Sequence, residues 1–121
     1  MDSQTTLKPL IGQILTSVEG ASESSDEIVF TPETALPTRW RMFHNQDCCE
    51  SVSVEKVEGE VENLLGSPML SATEEIEDVE DASESATRTT FTLTTAKGTV
   101  KIIWFGESNG YYGEGVDFQI C

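Results

Sequence analysis

The chain has 121 residues, of which 22 are Asp or Glu and only 7 are Lys or Arg, so its formal net charge is -15. This length predicts one domain over residues 1–121 with a core of its own. The excess of acid argues against direct binding to nucleic acid or to an anionic membrane, because both need basic surfaces. A basic partner protein suits this charge.

The cysteines and the N-terminal residues predict a cytoplasmic protein. There are three cysteines, two of them adjacent at Cys48 and Cys49, and this odd number fits no disulfide framework. The first residues are polar and do not resemble a signal peptide. No apolar run approaches the roughly 20 residues needed to span a bilayer.

The first half of the chain is rich in strand patterns. Residues 13–19 and 27–31 predict two short strands joined by an exposed loop. Residues 38–44 alternate polar and bulky apolar side chains, which predicts a strand that delivers His44 to the end of a sheet. Residues 52–57 alternate again and predict the next strand.

A change of period after this strand predicts a helix. Val61, Leu64 and Leu65 recur at i, i+3 and i+4. Acidic residues come early in the segment, where they suit a helix N-terminus, and Gly66 follows as a stop signal. We expect a helix of about two turns that needs a sheet to pack on.

An acidic run follows this helix. Residues 68–76 predict another strand, but residues 74–84 are mostly acidic with almost no apolar content. Such a composition is typical of a solvated segment. We therefore expect a loop or a flexible hairpin tip around residues 74–86.

The last third of the chain gives the strongest strand patterns and completes the predicted fold. Residues 87–96 and 99–105 predict two strands joined by a tight turn at Lys97-Gly98, and residues 116–120 predict a final strand. The fold class is thus α+β: an antiparallel β-sheet of about six or seven strands with one short helix packed against it. The predicted core consists of Ile14, Val18, Ile28, Phe30, Trp40, Met42, Val54, Leu64, Leu65, Phe91, Leu93, Val100, Ile102, Trp104 and Phe118.

The order of several motifs carries a family resemblance. The motifs are Leu10-Ile11-Gly12, residues 44–52, Leu64 to Pro68, residues 97–100, residues 104–112 and Val116-Asp117-Phe118. In this order they resemble a family of short acidic proteins encoded largely by tailed bacteriophages, whose domain has no known function. The resemblance implies a small accessory protein made in a bacterial cytoplasm, during infection or from a prophage.

The segment from His44 to Glu50 gathers the most reactive side chains of the chain. Imidazole, carboxylate and thiolate groups all bind zinc, so His44, Asp47, Cys48 and Glu50 form a candidate metal or ligand site. The alternative is structural: one cysteine packs as a small apolar residue, while His44 and Asp47 hydrogen-bond the turn. The flanking acids oppose formation of a thiolate, so we predict no cysteine catalysis and no enzyme.

A second polar cluster, residues 107–114, follows the strongest strand. Asn109 and one of the neighbouring tyrosines, Tyr111 and Tyr112, could hold a ring-shaped ligand. The alternative is an aromatic turn in which Asn109 and Gly110 supply positive φ. Consecutive tyrosines in a loop usually leave one exposed, and an exposed tyrosine is a common interface anchor.

These features lead to one main hypothesis and two alternatives. The main one is a non-enzymatic, acidic, phage-type protein that needs no cofactor and inhibits a basic host protein, such as a defence nuclease, by mimicking nucleic acid as an anti-CRISPR protein does. Its predicted contacts are Glu74, Glu75, Glu77, Asp78, Glu80, Asp81, Tyr111 and Tyr112. The first alternative is a metal- or small-ligand-binding module in which the 44–50 and 107–114 loops converge, with zinc as the candidate metal. The second is a virion or assembly component.

Overall fold

A computed structural model of the chain describes residues 7–33, 39–44, 50–80, 85–108 and 115–120. The eight strands, in chain order, are β1 (Leu15–Glu19), β2 (Glu27–Pro32), β3 (Trp40–Phe43), β4 (Ser51–Glu58), β5 (Ser71–Glu80), β6 (Ser85–Thr95), β7 (Gly98–Ser108) and β8 (Asp117–Ile120). They form two four-stranded sheets in which every neighbouring pair is antiparallel. The prediction of a mostly antiparallel fold is confirmed, but the strands divide between two sheets instead of joining in one.

Each sheet combines two pairs of consecutive strands with one pair of strands that are distant in sequence. The first sheet has the order β1-β2-β3-β8, and the second has the order β4-β7-β6-β5. Hairpins join β5 to β6 and β6 to β7, and the turn between Thr95 and Gly98 confirms the predicted tight turn. In contrast, the β3–β8 and β4–β7 pairs join segments that lie far apart in the chain.

Apolar side chains from both sheets form a single core. The first sheet contributes residues such as Phe30 and Met42, and the second contributes Phe91, Ile102 and Trp104, all essentially buried. The indole N–H of Trp104 donates to the sulfur of Met42 across 3.1 Å, so the two sheets meet at this pair. Burial of this apolar surface is the main force that holds the two sheets together.

The predicted helix is wrong, and the fold is mainly β instead of α+β. The segment forms only a 3₁₀ turn at Val61–Leu64, and the other helical piece in the described residues is a 3₁₀ turn at Lys8–Leu10. Glycines with positive φ lie on either side of the Val61–Leu64 turn: Gly59 has φ of +101° and Gly66 has φ of +78°. They leave room for a single turn, in which Leu64 is buried. The i, i+3 spacing of the apolar residues is also that of a 3₁₀ turn.

A bulge in the first strand changes one predicted core residue. The pairing of β1 with β2 shifts register between Leu15 and Ser17, so Thr16 is an extra residue. The extra residue lets Leu15 and Val18 both face the core, because a bulge interrupts the strict alternation of a strand. Leu15 is fully buried and Ile14 only partly, so the predicted core position of Ile14 moves by one residue.

The acidic segment continues a strand instead of forming a loop. Strand β5 pairs with β6 along its whole length, from Ser71 opposite Thr94 to Glu80 opposite Ser85. Residues 74–80, which the sequence assigned to a loop or hairpin tip, are therefore extended and hydrogen-bonded to a neighbour, while residues 81–84 lie outside the described residues. Within the described ranges, no helix is long and apolar enough to cross a membrane.

Candidate functional site

The predicted site residues fall in two separate regions. In the ligand set, His44 and Glu50 are described, whereas Asp47, Cys48 and Asn109 lie outside the described residues. In the partner set, four acids lie on β5: Glu74, Glu75, Glu77 and Asp78. Glu80 ends that strand, its side chain is outside the description, and so are Asp81, Tyr111 and Tyr112.

The pairing of β3 with β8 brings His44 next to Gly115. Phe43 lies opposite Asp117, so the residue after β3 meets the residues before β8. His44 Nδ1 is 2.6 Å from the carbonyl oxygen of Gly115. On the other side of the ring, His44 Nε2 is 2.7 Å from Oε2 of Glu50, the residue that precedes β4. His44 therefore connects the ends of two polar segments that are distant in sequence.

The His44 and Glu50 side chains form a buried pair. The side chain of His44 is 8% exposed and that of Glu50 is fully buried. The two ring nitrogens each have an oxygen partner, one from the backbone and one from a carboxyl group, so the hydrogen-bonding capacity of the ring is satisfied. These hydrogen bonds compensate for the burial of the two polar side chains.

This arrangement limits what His44 can do as a metal ligand. Both ring nitrogens are occupied, so a metal ion at His44 would have to displace either Gly115 or Glu50. Within the part of the chain that is described, no group of three or more His, Cys, Asp or Glu side chains could hold a metal ion. The structure thus brings two members of the predicted ligand set together, as partners of each other.

An open pocket of about 310 Å³ lies beside this pair. Its lining residues are Asp26, Glu27, Arg41, Phe43, His44 and Val52. The guanidinium of Arg41 is 3.7 Å from the centroid of the Phe43 ring, and its Nη1 is 3.3 Å from Oε2 of Glu27. The pocket therefore offers one cation on an aromatic face next to two acids. Such a lining can contact a small ligand that carries both an anionic and a cationic group.

Arg41 and Gly115 were not among the site residues predicted from the sequence. Arg41 and Phe43 lie two residues apart on one strand, and this spacing placed them on a common face. The contribution of Gly115 is a backbone carbonyl, which no residue type signals. Its position depends on the β3–β8 pairing, which the sequence pattern does not specify.

The acidic part of β5 is the second candidate region. Glu75, Glu77 and Asp78 are exposed, Glu74 is half-buried, and Ile76 between them is 64% exposed. Strand β5 lies at the edge of its sheet, so these side chains border an open row of backbone groups. The region therefore combines negative charge, an exposed apolar side chain and a strand edge.

One basic side chain lies next to this acidic region. Arg88 is opposite Glu77 in the strand pairing, but its guanidinium binds both carboxylate oxygens of Glu55, at 2.9 and 3.3 Å. The hydrogen bond to Glu55 raises the pKa of Arg88 above its ordinary value. The guanidinium also lies 5.5 Å from the ring centroid of Phe105. Arg88 therefore pairs with Glu55, and it is also attracted electrostatically to Glu77 on β5.

Comparison with known proteins identifies the family of this chain. A family profile described as a domain of unknown function (DUF7448) matches residues 8–118. Since the match covers most of the sequence, the chain belongs to this family. No curated protein and no solved structure matches the chain.

Proposed function

We propose that this domain is a non-enzymatic binding module whose acidic strand β5 associates with a basic, nucleic-acid-binding protein. The observation that carries the proposal is the exposure of Glu75, Glu77 and Asp78 on one edge strand of a chain with a net charge of -15. Charges of this kind steer a basic partner toward the strand and suppress acidic competitors.

The spacing of the carboxylates supports competition with nucleic acid. Four acids lie between Glu74 and Asp78. This part of the strand is about 13 Å long, because a strand advances roughly 3.3 Å per residue. One strand of DNA carries roughly one phosphate per 3.4 Å, so the two charge densities are similar. A channel that holds phosphates with Arg and Lys can accept carboxylates in place of some of them.

The resemblance to phage-encoded proteins adds the biological setting of the proposal. In that setting the partner is a host defence nuclease in the bacterial cytoplasm. The acidic strand occupies the nucleic-acid channel of the nuclease and inhibits it without any chemical step. Tyr111, Tyr112, Glu80 and Asp81 remain predicted further contacts at this interface.

Capture of partners with two charge-matched variants tests the proposal. The first variant, Glu75→Gln/Glu77→Gln/Asp78→Asn, removes the exposed charges of β5. The control variant changes three exposed acids elsewhere by the same total charge: Glu19→Gln, Glu23→Gln and Glu62→Gln. Each tagged protein is incubated with bacterial lysate containing defence nucleases, at low and at high salt, and the retained proteins are identified by mass spectrometry.

We expect the tagged natural chain to capture a basic nucleic-acid-binding protein, and we expect both high salt and excess duplex DNA to release it. The control variant should retain it as the natural chain does, and the β5 variant should retain at least tenfold less. Equal loss from both variants would show that only net charge matters. A partner that DNA does not displace would contradict occupation of the channel.

The contact between His44 and Gly115 favours a small-ligand module as a second candidate function. It brings His44, the first residue of the 44–50 loop, to Gly115, which follows the 107–114 loop, beside a pocket that Arg41 lines. This candidate predicts a small molecule or metal that co-purifies with the protein, seen by native mass spectrometry and metal analysis. Arg41→Ala should release a ligand bound in the pocket and leave the His44–Glu50 pair in place, since the described contacts of Arg41 are with Glu27 and Phe43. Retention of the ligand by this variant would place it elsewhere.

A further inference from the structure

We propose that the open edge of β5 accepts an extended basic segment of the partner as an additional antiparallel or parallel strand. This inference rests on the proposed function and specifies how the partner binds. Strand addition supplies affinity through backbone hydrogen bonds and specificity through alternate side chains. It therefore requires a free strand edge and a side-chain pattern that selects the added strand.

Other chain segments or a short length limit the other three edges of the two sheets. The β1 edge is bridged by Leu65 and Pro68, which pair with Leu15 and Ile14. The β4 edge is met by the loop before β2, where the N–H of Val54 donates to the carbonyl of Ser25 across 2.8 Å. The fourth edge, β8, is only four residues long.

Strand β5 differs from these edges in length and in access. It has ten residues, and none of the described segments pairs with its outer side. A row of this length offers several N–H and C=O groups to an incoming strand. It is the edge on which strand addition can form the most backbone hydrogen bonds.

The charges of β5 favour a basic partner segment over a second copy of this chain as the added strand. A second copy of this chain would bring the carboxylates of one β5 directly against those of the other. Like charges on neighbouring strands are destabilising, so Glu75, Glu77 and Asp78 disfavour this pairing. A segment with Lys or Arg at the facing positions turns the same contacts into attractive ones, and it also fits a protein that binds nucleic acid.

The alternation along β5 predicts the pattern of the added strand. Glu75 and Glu77 point to one face of the sheet, while Ile76 and Asp78 point to the other, where Ile76 is 64% exposed. A matching segment has basic residues on the first face and an apolar residue beside Ile76 with basic neighbours on the second. The simplest such core is Lys-Lys-Val-Lys-Lys, which reads the same in both directions.

Binding of synthetic peptides tests the mode of association. The probe is a fluorescent, terminally blocked peptide with the Lys-Lys-Val-Lys-Lys core, measured by anisotropy at low salt against the full chain. Two further peptides carry N-methyl groups on alternate residues, one on the odd positions and one on the even positions. An added strand uses the N–H groups of one edge only, so N-methylation of that edge removes its hydrogen bonds and leaves all charges in place.

Strand addition predicts that one methylated peptide binds at least tenfold more weakly than the parent and that the other binds like the parent. Amide hydrogen exchange should also slow at β5 in the complex with the parent. Ile76→Thr should weaken binding of the parent peptide several-fold and leave the salt dependence of that binding unchanged. Equal binding of all three peptides, equal weakening of both methylated peptides, or no binding of the parent would each overturn the inference.

The two proposals fail in different ways. Loss of capture in the β5 charge variant together with indifference to N-methylation would reject strand addition and leave the acidic binding function intact. Normal capture by that variant would reject the binding function itself. A dimer of the natural chain that forms with rising concentration and is abolished by Ile76→Pro would identify a second copy of the chain as the occupant of the β5 edge. This result would overturn the proposal of a basic partner segment.

Discussion

At the residue scale, the His44–Glu50 pair makes the sharpest prediction about stability. Replacing His44 by Ala removes the imidazole that hydrogen-bonds the fully buried side chain of Glu50. Breaking a buried pair in this way typically costs about 3–5 kcal/mol. We expect His44→Ala to lower the free energy of unfolding by an amount in this range, measured by urea denaturation. A loss within 0.5 kcal/mol, as at an ordinary surface site, would contradict the pairing.

Substitutions of Glu50 serve as the control for this prediction. In Glu50→Gln, the amide can donate to Nε2 of a neutral ring while Nδ1–H still donates to Gly115, so the cost should be only about 1 kcal/mol. In a double-mutant cycle, His44→Ala and Glu50→Ala should cost less together than the sum of their separate costs. Additive costs would show that the two side chains act independently.

Two glycines with the same backbone angle give a second prediction. Gly20 and Gly12 both have φ of +89°. A Cβ at Gly20 would collide with the backbone carbonyl of Glu27, whereas nothing lies within 4 Å of a Cβ at Gly12. The left-handed conformation alone costs a non-glycine residue roughly 1–2 kcal/mol. We expect Gly12→Ala to lose about that much stability and Gly20→Ala clearly more, measured by the shift in urea midpoint.

A similar loss in both variants would show that the loop before β2 yields to the added methyl group. The conformational penalty is the same in the two variants, so any difference between them isolates the collision. Such pairs are also informative about sequence reading. Both glycines stand at plausible turns in the sequence, but only the fold reveals which of them is close to another backbone segment.

At the element scale, the two wrong predictions have a common physical cause. The segment around Leu64 has the apolar spacing of a helix, and the segment around Glu77 has the composition of a loop. In the structure, the first is a single turn because it lies between two glycines with positive φ. The second is a strand because β6, with buried Phe91 and Leu93, provides a paired neighbour along its whole length. Neither constraint is visible in a local pattern, because tertiary context overrides local preference.

The acids of β5 lead to an element-scale prediction about self-association. Charged side chains on an edge strand prevent it from pairing with other edges. We expect Glu75→Thr/Glu77→Thr/Asp78→Thr to form larger species at concentrations where the natural chain does not, seen by sedimentation velocity. Threonine also favours strands, so the change should leave β5 itself intact.

The matched control for this experiment changes the same amount of charge away from the edge. Glu19→Thr/Glu23→Thr/Glu62→Thr alters exposed residues of β1, the loop before β2 and the 3₁₀ turn. It should sediment like the natural chain. Association in both variants would mean that net charge, and not the edge, keeps the protein from self-associating.

At the scale of the whole molecule, the core was more predictable than the sheets. Alternation correctly identified buried residues such as Ile28, Phe91 and Ile102, because a strand with one buried face repeats every two residues. Which strands share a sheet depends on pairs such as β3–β8, whose partners are far apart in sequence. The same pair places Gly115 against His44, so half of the candidate site was beyond the reach of the sequence pattern.

The shared core predicts that the two sheets unfold together. Phe30 belongs to the first sheet and Phe91 to the second, and both are completely buried in one cluster. Truncation of a buried Phe to Ala typically costs about 3–5 kcal/mol. We expect Phe30→Ala and Phe91→Ala each to destabilise the slowest-exchanging amides of both sheets by the same amount, measured by native-state hydrogen exchange.

Ile76→Ala is the control for this prediction. Ile76 is also a large apolar residue, but it is 64% exposed, so its truncation should lower the stability little. If a substitution speeded hydrogen exchange only at the amides of its own sheet, the two sheets would unfold separately. The contact between Trp104 and Met42 makes that outcome physically unfavourable. Opening either sheet by itself would expose the buried face of the other to water, so the free energy of local opening approaches that of global unfolding.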